Sequence, residues 1–198
     1  MPTLGITAAI IAGGASRRMH GRDKPLLILN GKPIIAHIIG RVEKDVDTIV
    51  INVNHSQDRY AAFPYNVIED IDQQLSGPLH GILSVLNNVQ TEFLLVLPGD
   101  VPIFPDDLAK RLSQNLQTNQ TQVCVASTGP QLEPMFAMCR TDIKDAIQQY
   151  LTNNRRRVDQ CWMSISHSIE KFNCREFDFY NINTPENLEY VERHLLEL

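Results

Sequence analysis

Residues 11–24 read Ile11-Ala12-Gly13-Gly14-Ala15-Ser16-Arg17-Arg18-Met19-His20-Gly21-Arg22-Asp23-Lys24, a glycine-rich stretch that carries four cations. Glycines let backbone N–H groups close on phosphate oxygens with no Cβ in the way. Arg18 and Lys24 can then neutralise phosphate charge. A turn with solvated charges is the alternative, and the position after a buried strand favours phosphate binding. The stretch lacks the Gly-Lys-Ser/Thr of a Walker A loop and the GxGxxG spacing of a dinucleotide site. A second chemical position is Asp100 in Pro98-Gly99-Asp100. A carboxylate at a strand end can bind Mg2+, which prefers oxygen ligands and shares them with substrate phosphates. Taken alone, an Asx turn is the simpler account of those three residues. Asn52 and Asp70 also sit at the ends of apolar runs. Asparagine can meet a base edge or a ribose with donor and acceptor together, although taken alone a strand-end turn role is the simpler account of both. Arg155, Arg156 and Arg157 form a second basic knot, which on residue type alone reads as a solvated turn. No Ser/His/Asp or Cys/His arrangement stands out.

These residues hang on alternating strand and helix patterns. Ile6 to Ala12, Thr48 to Val53, Asn66 to Glu69 and Glu92 to Leu97 are short β-rich runs, and Val123 to Ser127 and Met135 to Cys139 add two more. Apolar residues at helical spacing follow Pro33, Gly77-Pro78 and Asp106-Asp107, and recur at Ile143, Ile147 and Leu151. Asp106 and Asp107 suit the first turn of the third helix, where the dipole favours acids. Thr184 and Pro185 read as N-cap and first residue of a last helix. Continuous apolar strands alternating with helices predict a three-layer α/β fold, with a mostly parallel sheet covered by helices on both faces. With no linker or repeat, residues 1–198 are expected to form a single domain. Ligands in such folds bind at the carboxyl ends of strands, which directs attention to the segments after Ala12, Val53, Glu69 and Leu97.

Composition removes several classes of function. The chain has 18 Lys+Arg against 23 Asp+Glu, a formal net charge of −5, so nucleic acid is not an expected partner. No apolar run is long enough to span a bilayer and no signal peptide is legible, so no membrane association and a cytoplasmic location are expected. Cys124, Cys139, Cys161 and Cys174 form no CxxC pair and are expected to be reduced, several of them buried. His37, on the apolar face of its helix, is expected to be structural. An acidic chain that gathers its cations into two knots points to small anions.

The motifs together resemble one family. IAGGASRRMHGRDK is similar to the LAGGxSxRMGxxDK loop of the molybdenum cofactor guanylyltransferases, within the wider nucleotidylyltransferases. Leu29-Asn30-Gly31-Lys32-Pro33 resembles the L-x-GKP element and Gly77-Pro78-Leu79-His80-Gly81 the GPLAG element. Leu97 to Pro102 resembles the strand end CDxP, and Arg156-Arg157-Val158 and Asn181 to Glu186 resemble RRV and NxNTPE. The correspondence runs in order along essentially the whole chain. It implies a Rossmann-like nucleotidylyltransferase fold and transfer of GMP from Mg2+–GTP to the phosphate of molybdopterin, releasing pyrophosphate. It implies that Asp100 holds Mg2+ and that Arg18 and Lys24 stabilise phosphate charge. Nucleotide would be bound by Ile11, Ala12, Gly13, Lys24, Asn52, Asp70 and Asp100. Arg156, Asn181 and Asn183 would face the pterin, and molybdoenzymes or cofactor-delivery proteins would be further partners. The IAGG form leans toward guanine over cytosine. Gly99 stands where relatives often carry cysteine, and His80 where they usually carry alanine. Two rivals stay open on the sequence: a nucleotidylyltransferase for another acceptor (cytidylyl transfer to molybdopterin, or transfer to a sugar phosphate), and a guanine-nucleotide-binding accessory protein without turnover.

Overall fold

A computed structural model describes residues 3–13, 23–54, 57–70, 77–173, 175 and 177–195. Arg17, Arg18, Arg22 and Cys174 therefore lie outside the described residues. Strand β1 (Thr3–Ile11) leads through a short hairpin of β2 (Ile28–Leu29) and β3 (Lys32–Pro33) into helix α1 (Ile34–Val42). Next come β4 (Thr48–Val53), β5 (Asn66–Glu69), α2 (Pro78–Leu86), β6 (Thr91–Pro98), α3 (Leu108–Thr118), β7 (Val123–Ser127) and β8 (Leu132–Arg140). The chain closes with α4 (Lys144–Thr152), α5 (Val158–Met163), β9 (His167–Lys171) and α6 (Pro185–Leu195).

The main sheet has seven strands in the order β5-β4-β1-β6-β8-β7-β9. All neighbours pair in parallel except at β8, which runs antiparallel to both β6 and β7. This is the expected mostly parallel sheet. Period-two alternation gives each central strand two buried faces: Ala8 and Ile10 pack on one side with α1 and α3, Ala9 and Ile11 on the other with α2, α4 and α5. Leu95 and Leu97 against Leu94 and Val96 repeat the pattern on β6. Helix α1 turns Ile34, Ile35, Ile38, Ile39 and Val42 into the first core, which follows from their spacing.

Some local expectations change. Helix α3 begins at Leu108, so Asp106 and Asp107 precede its first turn. They serve instead as ion-pair partners, Asp106 of Arg41 and Asp107 of Arg111. Ile143 ends a 3-10 turn (Thr141–Ile143) that leads into α4. Thr184 behaves as an N-cap, its hydroxyl accepting from the N–H of Asn187 at 3.3 Å. His37 is structural, its Nε2 hydrogen-bonded with the carbonyl of Leu29 at 2.8 Å. Cys124, Cys139 and Cys161 are free and buried, and burial pushes the Cys124 and Cys161 thiols up to about 11 and about 12. Among the described residues, no helix is long and apolar enough to cross a membrane.

Candidate active site

Strand order reverses beside β1: the chain first builds outward through β4 and β5, then returns to place β6 on the other side. At such a switch point the connections leave in opposite directions and open a crevice at the carboxyl ends. A cavity of about 360 Å³ occupies it, lined among others by Ile11, Ala12, Gly13, Lys24, Gly99 and Asp100. Asn181 completes one wall and Met135 another. Met135 reaches the cavity because β8 bulges there. Val125 pairs with Ala137 but the adjacent Ala126 pairs with Glu133, leaving Pro134, Met135 and Phe136 out of register. Trp162 fixes the bulge by donating from Nε1 to the carbonyl of Pro134 at 2.8 Å.

The loop ends are held by backbone bonds. The N–H of Ala12 donates to the carbonyl of Asn52 at 2.8 Å, and the N–H of Gly99 to the carbonyl of Ile11 at 3.0 Å. Gly99 has no room for a side chain, since a Cβ would lie 2.9 Å from Cγ of Pro25 and 3.0 Å from Cα of Ala12. The glycine there allows the close approach of the segment bearing Lys24. Arg59 steadies the same segment through Asp23 at 3.5 Å.

Lys24 and Asp100 line the cavity, and Asn183 reaches Lys24 from beside it. The Lys24 ammonium donates to Oδ1 of Asn183 at 2.6 Å and lies 3.3 Å from Oδ2 of Asp100. Lys24 is 20% and Asp100 25% exposed, so both reach solvent and any ligand entering the crevice. The returning C-terminal segment is tied down here, with the N–H of Ile182 donating to the carbonyl of Asp100 at 3.0 Å.

Asn52 and Asp70 form a separate, more deeply buried pair, at 1% and 5% exposure. Nδ2 of Asn52 donates to Asp70 at 2.9 Å and to the carbonyl of Ile68 at 3.2 Å. Oδ1 of Asn52 has no hydrogen-bond partner among the described residues and faces Gly81 of α2. Burial raises the Asp70 carboxyl above its ordinary value, while the Asn52 hydrogen bond and the nearby His80 pull it back. Neither residue lines the 360 Å³ cavity. Arg156 is placed elsewhere: its guanidinium donates to the carbonyls of Leu151 and Arg155, each at 2.8 Å. It closes the carbonyl end of α4, a favourable place for a cation. Pro78, from the Gly77-to-Gly81 element, also lines the cavity, as do Met135 and Pro25, which no sequence motif marked as site residues.

Asp100 offers one carboxylate, and no group of three or more His, Cys, Asp or Glu able to hold a metal occurs among the described residues. One exposed carboxylate facing a ligand crevice suits Mg2+, which takes most of its remaining oxygens from water and phosphate.

Comparison with known proteins gives consistent results. Residues 8–167 match the family model described as the MobA-like NTP transferase domain. A protein of Shewanella sediminis named molybdenum cofactor guanylyltransferase is 36% identical over 189 residues, covering 96% of each chain. Another of that name from Shewanella woodyi is 37% identical over 190 residues, again covering 96% of each. Among solved structures, molybdopterin-guanine dinucleotide biosynthesis protein A of Archaeoglobus fulgidus superposes with a TM-score of 0.81 at 18% identity, over 97% of this chain and all of that one. A CMP:2-keto-3-deoxy-manno-octonic acid synthetase superposes with a TM-score of 0.78 at 16% identity, over 97% of this chain and 98% of that one. At those identities the structural matches establish the shared fold.

Proposed function

Because this chain belongs to the MobA-like NTP transferase family, it is a nucleotidyltransferase, and we propose that it transfers GMP from GTP to the terminal phosphate of molybdopterin. The observation that carries the mechanism is the Lys24–Asp100 pair on the wall of the switch-point cavity, with Asn183 bonded to Lys24. An oxygen of the acceptor phosphate attacks the α-phosphorus of GTP; that O–P bond forms as the bond to the departing pyrophosphate breaks. The attacking phosphate is already anionic near neutral pH, so no protein base is required. Asp100 would hold Mg2+, which supplies charge neutralisation on the phosphates when bound. Lys24 shifts from its carboxylate partner toward the phosphate oxygens and stabilises charge there. Gly13 and the neighbouring backbone of Ile11 and Ala12 shape the wall against which the nucleotide lies, and Arg18 adds a second cation. Asn52 and Asp70 support nucleotide recognition from beneath, and Asn181 and Asn183 face the acceptor. Arg156, whose Nη1 is engaged at the end of α4, keeps its other guanidinium N–H groups for the acceptor side. Binding both substrates in one crevice provides the in-line alignment on which such a reaction mostly depends.

The test is pyrophosphate release from GTP, Mg2+ and molybdopterin, with CTP and sugar phosphates as competitors for each substrate role. GTP with molybdopterin is the expected productive pair. Asp100→Ala lowers turnover by about 100- to 1,000-fold, with a stability change within about 1 kcal/mol, since a partly exposed ion pair contributes little. Equal turnover in Asp100→Ala, or preference for CTP, defeats this reading. Tight GTP binding without turnover would instead favour the accessory role.

A further inference from the structure

A second cavity, of about 580 Å³, adjoins the first and shares Asn181 with it. Its wall includes Gln131, Glu133, Arg175, Asp178 and Asn183. Arg175 and Asp178 neutralise each other at 2.9 Å. Glu133 is different. It sits on β8 opposite Ala126, at the start of the bulge, and is half-buried. It has no hydrogen-bond or ion-pair partner among the described residues, and burial alone acts on its carboxyl, raising it. A half-buried carboxylate without a donor is solvated less well than a free one, and a ligand that supplies the donors makes up the difference. Among the described residues, the cavity's uncompensated charge is negative, which suits a donor-bearing end of a substrate better than its phosphate end. Two adjacent N–H donors match the two oxygens of a carboxylate best.

We propose that Glu133 is a specificity residue for the acceptor, its carboxylate accepting the adjacent N–H and NH2 of a 2-amino-4-oxopyrimidine edge. This rests on the guanylyl-transfer reading, in which the acceptor carries that edge on its pterin and a phosphate at the opposite end. The phosphate enters the Lys24–Asp100 cavity, the chain of the acceptor passes Asn181, and the pterin edge reaches Glu133.

The experiment is steady-state kinetics of the full chain with GTP, Mg2+ and molybdopterin, comparing wild type with Glu133→Gln. An amide retains the shape but turns a donor toward the ligand's N–H groups. The KM for molybdopterin rises about 10- to 100-fold, the range expected for a lost charged hydrogen bond, while kcat and the KM for GTP and for Mg2+ stay near wild type. 6-Hydroxymethylpterin competes with molybdopterin in wild type and weakly in Glu133→Gln; 6-hydroxymethyllumazine, with oxygen in place of the 2-amino group, competes weakly in both. An unchanged KM for molybdopterin, a parallel rise for GTP or Mg2+, or equal competition by the two fragments in wild type overturns the proposal. Wild type that transfers no GMP to molybdopterin overturns the parent reading instead.

Discussion

The two carboxylates near the switch point live in different electrostatic worlds. Asp100 has a cation 3.3 Å away and a quarter of its surface in contact with solvent, while Asp70 is almost fully enclosed with an amide as its main partner. Burial raises the Asp70 carboxyl, opposed by the Asn52 hydrogen bond and by His80. A folded value above the unfolded one means that folding favours the protonated form. The stability this contributes is complete below the unfolded value of about 3.9 and is lost as pH rises through the raised folded value. Asp70→Asn cannot ionise, keeps an oxygen to accept from Asn52, and escapes that loss. Its melting temperature is therefore expected above wild type at pH 7, with the gap narrowing as the buffer is taken toward pH 4. Thermal scans across that range check it; a pH-independent gap would mean that Asp70 ionises in the fold without penalty.

Between elements, helix α2 lies so close to β4 that sterics outweigh propensity. Alanine is more favourable than glycine inside a helix by about 1 kcal/mol. At Gly81, however, a Cβ would collide with Oδ1 of Asn52 and lie 2.9 Å from its Cγ, and Asn52 is pinned by two hydrogen bonds. Overpacking of this kind costs about 1–3 kcal/mol, so Gly81→Ala should destabilise by about 1 kcal/mol net. In an Asn52→Ala background the obstacle is gone and the same change should stabilise; urea denaturation of the four proteins closes the cycle. No sequence pattern announces that contact. By contrast, the strands β1, β4 and β6 and the helices α1 and α2 follow directly from apolar patterning, because each buries most of its apolar residues, while β5 buries only Ile68 and shows as a short β-rich run. Helix α5 has only six residues and β9 alternates exposed and half-buried positions, so neither carried enough apolar signal. The β2–β3 hairpin had a signal that could have been used: Asn30-Gly31, with φ of 46° and 77°, is the pair a tight hairpin turn requires. The gathering of Lys24, Asp100 and Asn183 was visible as three separate motifs, but the hydrogen bond linking the first to the last spans most of the chain and only folding supplies it. Arg156 shows the converse, a motif arginine whose local helix end holds one of its nitrogens.

At the scale of the molecule, the site depends on how the last part of the chain returns across the sheet. After β9 the segment comes back beside the residues following β6, the N–H of Phe179 donating to the carbonyl of Ile103 at 2.9 Å. The Phe179 ring packs edge-on to Phe136 of β8 at 4.7 Å and lies 6.1 Å from Phe172. This aromatic cluster fixes the segment that carries Asn181 and Asn183 to the active site. It does so against backbone resistance, because Phe179 has φ of +62°, a region that bulky residues avoid. Truncating the ring in Phe179→Ala should cost about 3–5 kcal/mol and raise the KM for molybdopterin, since both asparagines lose their anchor. Phe179→Gly loses the same packing but sheds the backbone penalty of roughly 1–2 kcal/mol that any Cβ meets at positive φ. The glycine variant should therefore be at least as stable as the alanine variant, the reverse of the order found where φ is negative. Denaturant midpoints of the two proteins decide the matter. A clearly less stable glycine variant would show that the positive φ is not what the aromatic cluster works against, and that the returning segment is held by its hydrogen bonds to Ile103 and Asp100 instead.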